Sequence, residues 1–183
     1  AGRPGGSEWL ATSHDLLLVM TSANPGDEPI VRTGAEARTR LAGIAGAILD
    51  HDRDIVCRCD DSVLRTQGQS TQFIRRSRGY SSAAIPLAHT GPSVLAFGAH
   101  LKSSICVTRG SEAFLSPHIG DLDNAATCDF FDETLERMLD LLEVKPDVVA
   151  HDLHPDYYST RAAIAFAARH GLPSVAKSPG MVS

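Results

Sequence analysis

Short apolar runs alternate with polar, Gly-containing and Pro-containing turns along most of this chain. "DLLLVM", residues 15–20, is a continuous apolar run that predicts a buried strand. Residues 35–49 predict a helix, because apolar side chains recur at the spacing of one helical face: Leu41, Ile44, Ala45, Ile48 and Leu49. "RDIVCR" (53–58) and "TQFIRR" (71–76) predict strands, and "DDSVLRTQGQS" between them predicts a strand edge and a turn.

The second half has a clearer pattern. "SVLAFGAH" and "SSICVTRG" predict two strands around a Gly-containing turn, and "EAFLS" predicts a third. A helix follows, capped by Asp123 or Asn124, with one apolar face made of Phe131, Leu135, Met138 and Leu142. "KPDVVAHDL" predicts a buried strand, and "STRAAIAFAARHG" predicts a helix that ends at Gly171. The order β-β-β-α-β-α predicts an α/β layer whose first strands are antiparallel.

The composition shifts predict two domains. "SSAAIPLAHTGP", residues 81–92, combines small residues with two prolines and a glycine, which is typical of a linker. We expect a flexible lead over 1–14, one domain over 15–82, a linker over 83–92 and a second domain over 93–183. The chain stops just after the strand predicted at "LPSVA", so we expect a fragment of a larger protein or a product with altered ends.

Composition restricts the setting and the partners. The chain has 183 residues, of which 43% are hydrophobic and 21% charged, as in ordinary soluble proteins. The sequence shows no apolar run of membrane-spanning length and no signal-peptide core, so no membrane partner is expected. A net charge of −5 argues against general attraction to nucleic acid. Four cysteines without paired C-x-x-C motifs favour a reduced, cytoplasmic protein: Cys57, Cys59, Cys106 and Cys128.

Polar side chains follow the first predicted strand. Thr21, Ser22 and Asn24 lie past its carboxyl end, where α/β sheets bind ligands, and their hydroxyl and amide groups can donate to phosphate oxygens. The alternative is a turn in which these side chains satisfy only their own backbone. Both readings remain open from the sequence.

Three arginines occur within four residues of "FIRRSRGY". These arginines, Arg75, Arg76 and Arg78, could bind a polyanion such as a nucleotide phosphate. Alternatively, they could lie on a solvated edge strand, where their charges prevent pairing with another strand. Asp60 and Asp61 precede them in "CRCDDSV". One of these carboxylates could hold Mg²⁺ or pair with an arginine, and a charge-compensated turn is the alternative.

The second half adds two candidate clusters. Lys102 stands at the predicted hairpin tip "FGAHLKSS", either over a phosphate or as an exposed turn lysine. In "AHDLHPDYYST" a buried strand is followed by polar residues suited to metal or acid–base chemistry, including Asp152 and His154. The segment could instead simply begin the next helix. His118, in "SPHIGDLDN", could take part in the same kind of chemistry, but its setting favours a capping or packing histidine.

Six blocks in order resemble the HypF family of carbamoyltransferases, maturation factors of [NiFe]-hydrogenases. They are "VMTSANPGDEPI", "HDRDIVCRCDDSV", "IRRSRGY", "VLAFGAHLKSSICV", "LSPHIGDLDN" and "DLHPDYYSTR". The resemblance runs from about residue 15 to about residue 175. It implies the C-terminal part of a YrdC-like α/β domain, followed by the first β-β-β-α-β-α unit of a transferase domain with the actin-like ATPase fold.

The resemblance also implies a chemistry. A YrdC-like domain uses ATP, with Mg²⁺, and carbamoyl phosphate to make carbamoyl-adenylate. The following domain passes the carbamoyl group to the C-terminal cysteine thiol of a HypE-like partner, where dehydration gives cyanide for the hydrogenase iron. Ser22 and Asn24 match the Ser-x-Asn nucleotide contact, and one of the three arginines corresponds to a phosphate ligand. Lys102 and residues 152–156 match the opening of the transferase domain.

This sequence departs from the family pattern. It has no acylphosphatase-like domain, no C-x-x-C zinc modules, no first half of the YrdC-like domain and no "HHHAH" motif. The ligands for the family's zinc or iron are therefore absent, and we expect a chain that is inactive by itself. Two alternatives are a nucleotide-binding or interaction module without turnover and a YrdC-type RNA-binding module.

Overall fold

The computed structural model describes residues 11–13, 15, 17, 20–81 and 83–177. Within these ranges it contains three helices: α1 (Gly34–Arg40), α2 (Ala125–Leu142) and α3 (Tyr158–His170). The strands are β1 (Val63–Gln67), β2 (Ser70–Arg75), β3 (Ile85–Pro86), β4 (Val94–Ala96), β5 (Cys106–Arg109), β6 (Glu112–Leu115), β7 (Val148–His151) and β8 (Ser174–Ala176). Below, the N-terminal part is residues 20–81 and the C-terminal part is residues 83–177.

The C-terminal part is built on a six-stranded sheet with the order β3-β6-β5-β4-β7-β8. The pairs β3–β6, β6–β5 and β5–β4 are antiparallel, whereas β4–β7 and β7–β8 are parallel. The chain passes through α2 between β6 and β7 and through α3 between β7 and β8. The predicted β-β-β-α-β-α unit with antiparallel first strands is therefore confirmed.

The core of the C-terminal part lies between this sheet and its helices. Phe97, directly after β4, and Val149, within β7, are fully buried. The centre of the Phe97 ring lies 5.8 Å from the centre of the Phe131 ring on α2. The predicted face of α2 is confirmed, with Leu135 and Met138 buried beside Phe131. Each such side chain contributes about 1.5–3 kcal/mol through removal of apolar surface from water.

The predicted N-terminal cap of α2 and the predicted C-terminal end of α3 are both confirmed. Asn124 caps α2, because its Oδ1 accepts a hydrogen bond from the backbone N–H of Thr127 at 2.9 Å. Gly171 ends α3 in the left-handed conformation, with φ of 65°. Strand β3 lies within the predicted linker and pairs with β6, so this segment also extends the sheet. The domain boundaries themselves remain a prediction.

The N-terminal part is less regular than the sequence predicts. The predicted helix over 35–49 is wrong in length, because α1 ends at Arg40 and Ile44 and Leu49 are exposed. Gly43 has φ of 83°, a conformation that does not continue a helix. The predicted strand at 53–58 is also wrong, since these residues pair with no strand.

The described residues of the first apolar run do not form a buried strand. Leu17 and Met20 are exposed and lie outside any strand, while Leu16, Leu18 and Val19 lie outside the described residues. By contrast, "TQFIRR" contributes most of β2, which forms an antiparallel hairpin with β1 through a turn at Gly68. Of the helices in the described ranges, none combines the length and apolar character needed to cross a membrane.

Candidate functional site

A cavity of about 350 Å³ lies where the N-terminal and C-terminal parts meet. The N-terminal part contributes the loop at 22–30, the segment 58–60 and the end of β2. The C-terminal part contributes the hairpin tip after β4, the β6–α2 connection and the start of α2. Among the lining residues are Ser22, Asn24, Arg58, Asp60, Arg75, Lys102, His118, Asp121 and Thr127. The fold thus brings four of the predicted nucleotide residues to one cavity: Ser22, Asn24, Arg75 and Lys102.

The loop at 22–31 is shaped by its own polar side chains. Ser22 Oγ donates to Asn24 Oδ1 at 2.5 Å, and Asn24 Nδ2 donates to the carbonyls of Pro25 at 3.0 Å and Glu28 at 2.9 Å. Both amide protons of Asn24 are used inside the loop, as in the turn alternative. Ser22 and Asn24 nevertheless line the cavity, whereas Thr21 is exposed and does not.

The three arginines of the basic segment separate. Arg75 lines the cavity, with Nη1 3.7 Å from Asp60 Oδ2. Arg76 lies over the Phe73 ring and donates to the carbonyl of Ala83 at 3.3 Å. These two side chains therefore have different surroundings, and only the first faces the cavity.

Arg78 also lies away from the cavity. Its Nη2 donates to the carbonyl of Cys59 at 2.9 Å, and its Nε lies 3.8 Å from Asp61 Oδ1. Asp61 thus has a charge-compensating position, one of the alternatives that the sequence left open. Of the three arginines, the structure places Arg75 alone among the lining residues.

Lys102 is held at the hairpin tip by its backbone. Its φ is 50°, and its N–H donates to Asp121 Oδ1 at 2.6 Å. The next residue, Ser103, forms an antiparallel bridge with Gly120, with an N–O distance of 2.8 Å, and is fully buried. This bridge places Lys102 beside the segment 118–121. Gly98 fits the tip because a Cβ there would collide with the carbonyl oxygen of Ser104, and because its φ is 66°.

Some of the charged residues that line the cavity already form ion pairs with residues outside it. Glu28 pairs with Arg40, while Arg58 donates to Glu36 and to Glu133. Arg75 has only the long contact to Asp60, and within the described ranges the Lys102 ammonium has no ion pair. Burial, and then the positive charge of Arg75, lowers the pKa of His118, so its imidazole is neutral at pH 7. Arg75 and Lys102 are therefore the cations that remain available to an anionic ligand.

An ion-pair network joins the two parts beside the cavity. Arg58 connects Glu36 on α1 (2.9 Å) with Glu133 on α2 (3.1 Å), and Arg32 also pairs with Glu133. Burial alone would raise the pKa of Glu36, but hydrogen bonds from Arg32, Arg40 and Arg58 lower it to about 2. Sequence reasoning missed Arg58, because its partners lie 22 and 75 positions away and leave no local pattern.

The segment 152–157 uses its polar groups locally. Asp152 Oδ1 accepts from the N–H of His154 at 2.9 Å, and His154 Nδ1 accepts from the N–H of Asp156 at 3.3 Å. The rings of His154, Tyr157 and His100 stack in series, with centroids 4.2 and 4.8 Å apart. In the ranges that the structure describes, no three His, Cys, Asp or Glu side chains could hold one metal ion.

These residues therefore do not fit a zinc or iron centre, and no chemical step is assigned to such a metal. A role for Asp152 and His154 in acid–base chemistry stays a prediction. The four cysteines are free thiols. Burial raises the pKa of Cys106 and of Cys128, which does not favour reactive thiolates at these positions.

Two family models match consecutive stretches of the chain. The Sua5–YciO–YrdC model, described as "Telomere recombination", matches residues 7–77, and the "HypF Kae1-like domain" model matches residues 89–176. The cavity thus receives Ser22, Asn24 and Arg75 from the first stretch and Lys102 from the second.

Named relatives agree with these matches. Carbamoyltransferase HypF2 of Cupriavidus necator is 56% identical over 96% of this chain. Carbamoyltransferases HypF of Rhizobium leguminosarum bv. viciae and Synechocystis are 52% and 39% identical over 80% and 82% of it. The matches cover 22%, 19% and 21% of those relatives, so this chain spans about a fifth of their length.

Solved structures show the same architecture. Full-length HypF "in the phosphate- and nucleotide-bound form" aligns with 86% of this chain and 20% of its own, with a TM-score of 0.80 and 41% identity. HypF of T. kodakarensis aligns with 86% of this chain and 21% of its own, with a TM-score of 0.81 and 32% identity. The mixed α/β fold, the consecutive family matches and the extended identity lead to one assignment: this chain belongs to the HypF family.

Proposed function

We propose that the cavity between the two parts binds the phosphate groups of a nucleotide, as one step of ATP-dependent carbamoyl transfer. The observation that carries this proposal is the convergence of Arg75 and Lys102 in one cavity, although 27 positions separate them in the sequence. The Ser22–Asn24 turn lies in the same wall. In the longer proteins of the family, the substrates would be ATP and carbamoyl phosphate, with carbamoyl-adenylate as the intermediate.

The cavity suits a phosphate chain for electrostatic reasons. An arginine fork can hold two phosphate oxygens at once, and a lysine adds a compact charge with rotatable donors. Because both lie in a cleft with partly buried walls, their fields act on a ligand with less screening than at an open surface. Mg²⁺ would enter with the nucleotide phosphates, and the lining carboxylates Asp60 and Asp121 are candidates to bind its water shell.

The later steps are inferred from the family alone. A HypE-like protein would accept the carbamoyl group on its C-terminal cysteine thiol, in the cytoplasm. The four free thiols of this chain are compatible with such a reducing setting.

Calorimetric titration with MgATP tests the nucleotide site. We expect Arg75→Ala and Lys102→Ala each to weaken binding by about 10- to 100-fold, the loss of one charged hydrogen-bonding group. Arg76→Ala and Arg78→Ala are matched controls, since both arginines lie away from the cavity. Binding that survives the Arg75→Ala/Lys102→Ala double substitution in a folded protein would contradict the proposal.

A further inference from the structure

His118 occupies a specific place in the cavity wall. It lies on the connection between β6 and α2, half-buried, and lines the cavity with Arg75, Lys102, Asp60 and Asp121. Its ring has no hydrogen-bond partner among the residues that the structure describes. A partly buried imidazole with no protein partner, facing a cavity with two available cations, retains an unused donor and an unused acceptor.

We propose that His118 is a ligand-binding residue of this cavity and that its imidazole donates a hydrogen bond to an oxygen of the anion held between Arg75 and Lys102. This inference deepens the proposed nucleotide function and rests on it. It names a binding group that the sequence interpretation treated as a capping or packing histidine.

The backbone around His118 is fixed, as a binding residue requires. Ile119 N–H donates to the carbonyl of Ser103 at 2.9 Å, and the buried Ser116 Oγ accepts from the N–H of Ile105 at 2.9 Å. Residues on both sides of His118 are thereby bonded to the segment 103–105, which directly follows Lys102. These bonds hold the backbone at His118 beside the backbone that follows Lys102.

The capping role is filled by another residue. Asn124 caps α2 through its side chain, and His118 lies six positions before that cap. The local structure thus needs no hydrogen bond from this imidazole, which leaves the ring free for a ligand.

The charges explain why a neutral donor is suitable here. The cavity lining carries three cations, Arg58, Arg75 and Lys102, and four carboxylates, Asp27, Glu28, Asp60 and Asp121. Of these, Arg58 and Glu28 are already held in ion pairs with residues outside the lining. A neutral N–H can bind an anion's oxygen without forming an ion pair with any of these carboxylates.

The pH dependence follows from the same surroundings. Burial, Arg75 and Lys102 lower the pKa of His118, whereas Asp60 and Asp121 act in the opposite direction. Protonation below the ordinary value of 6.5 adds a positive charge that faces the anion. As the pH falls below this value, the affinity of the wild type for ATP should therefore rise more than the affinity of His118→Gln. Protonation of the phosphates of ATP affects both proteins equally, so the difference between the two affinities reports on His118 alone.

Imidazole NMR and calorimetry on the whole chain test the inference. The chain, labelled with ¹⁵N-histidine, is titrated with MgATP, and the His118 signals are identified by their loss in His118→Gln. We expect these signals to shift and to saturate together with the heat of binding. His118→Ala should weaken ATP binding by about 10-fold, the value of one hydrogen bond to a charged group, and His118→Gln, which keeps an N–H donor, should weaken it less.

His89→Gln is the matched control, because His89 is exposed and does not line the cavity. Circular dichroism shows whether each variant folds. The NMR titration is performed on the wild type, so its result does not depend on the folding of a variant. His118 signals that stay unmoved at saturation, or wild-type affinity in a folded His118→Ala, would overturn the inference. If ATP binding requires Arg75 and Lys102 but not His118, the proposed function stands and this inference fails. If the wild type binds no ATP, both fail.

Discussion

Arg58 donates hydrogen bonds to Glu133 at 3.1 Å and to Glu36 at 2.9 Å, so one guanidinium joins a helix of each part of the chain. Only 14% of the Arg58 side chain is exposed, and its guanidinium also lies 5.7 Å from the centre of the Phe130 ring. The backbone carbonyl of Ile30 accepts from its Nε at 2.8 Å. The loop that forms one wall of the cavity is therefore attached to the network that joins the two parts.

Glu133→Gln should weaken the junction between the parts. The substitution removes the charge that pairs with Arg32 and Arg58, and we expect a loss of about 1–3 kcal/mol in the free energy of unfolding. Glu136→Gln, at an exposed position of the same helix, is the control and should change stability by less than about 0.5 kcal/mol. Urea unfolding measures both. Equal effects of the two substitutions would show that the network does not stabilise the junction.

Glu36 should make stability depend on pH in the acid range. Its pKa is about 2 in the folded chain, below the ordinary value of 4.5. A lowered pKa means that the ionised carboxylate stabilises the fold above pH 4.5, and that this contribution is lost as the pH falls towards 2. The difference corresponds to at most about 3 kcal/mol, and solvent screening of the partly exposed carboxylate lowers this contribution. Glu36→Gln should be less stable at pH 7 and should show a flatter profile of unfolding free energy between these pH values.

Asn24→Ala should disorder the turn and weaken ATP binding indirectly. The substitution removes two donors to the loop's own carbonyls and the acceptor for Ser22. We expect amide hydrogen exchange across residues 22–31 to become faster, because the loop loses its internal bonds. Thr21→Ala is the control, since Thr21 does not line the cavity. Unchanged exchange in the Asn24 variant would contradict the role of this side chain in shaping the loop.

Gly98→Ala should be more costly than Gly110→Ala, although both glycines have left-handed φ values, 66° and 62°. A Cβ at position 98 would collide with the carbonyl oxygen of Ser104, whereas position 110 is open. The left-handed conformation alone costs about 1–2 kcal/mol in each variant. Any additional loss of unfolding free energy in Gly98→Ala therefore measures the close approach at the hairpin tip. Equal losses would show that the tip relaxes freely.

The C-terminal part was predictable because its signals are local. Periodic apolar positions in α2 and α3, an Asn cap and a C-terminal Gly each specify structure within a few residues, and the core uses those same positions. The N-terminal part depends instead on long-range ion pairs. The apolar spacing at 35–49 gave no indication that Ile44 and Leu49 would be exposed, or that a glycine at 43 would take a positive φ.

The candidate site was predictable only in part, for the same reason. The sequence indicated a basic segment. Successive side chains of a strand point to opposite faces, but this alternation does not reveal which face lines a cavity whose other wall comes from the distant hairpin around Lys102. Arg75 was therefore not separable from Arg76 and Arg78. The proximity of His118 to Lys102 arises from the Ser103–Gly120 bridge, which joins positions 17 residues apart and has no sequence pattern of its own.

The walls of the cavity come from both parts of the chain, and this has a thermodynamic consequence. An anion that contacts both walls must bind the docked arrangement more tightly than a separated one, and by linkage it shifts the equilibrium between them towards docking. Ligand affinity and docking strength would then be coupled quantities. Weakening the Arg32–Glu133 ion pair, by salt or substitution, would reduce the apparent affinity of a cavity that neither side chain lines.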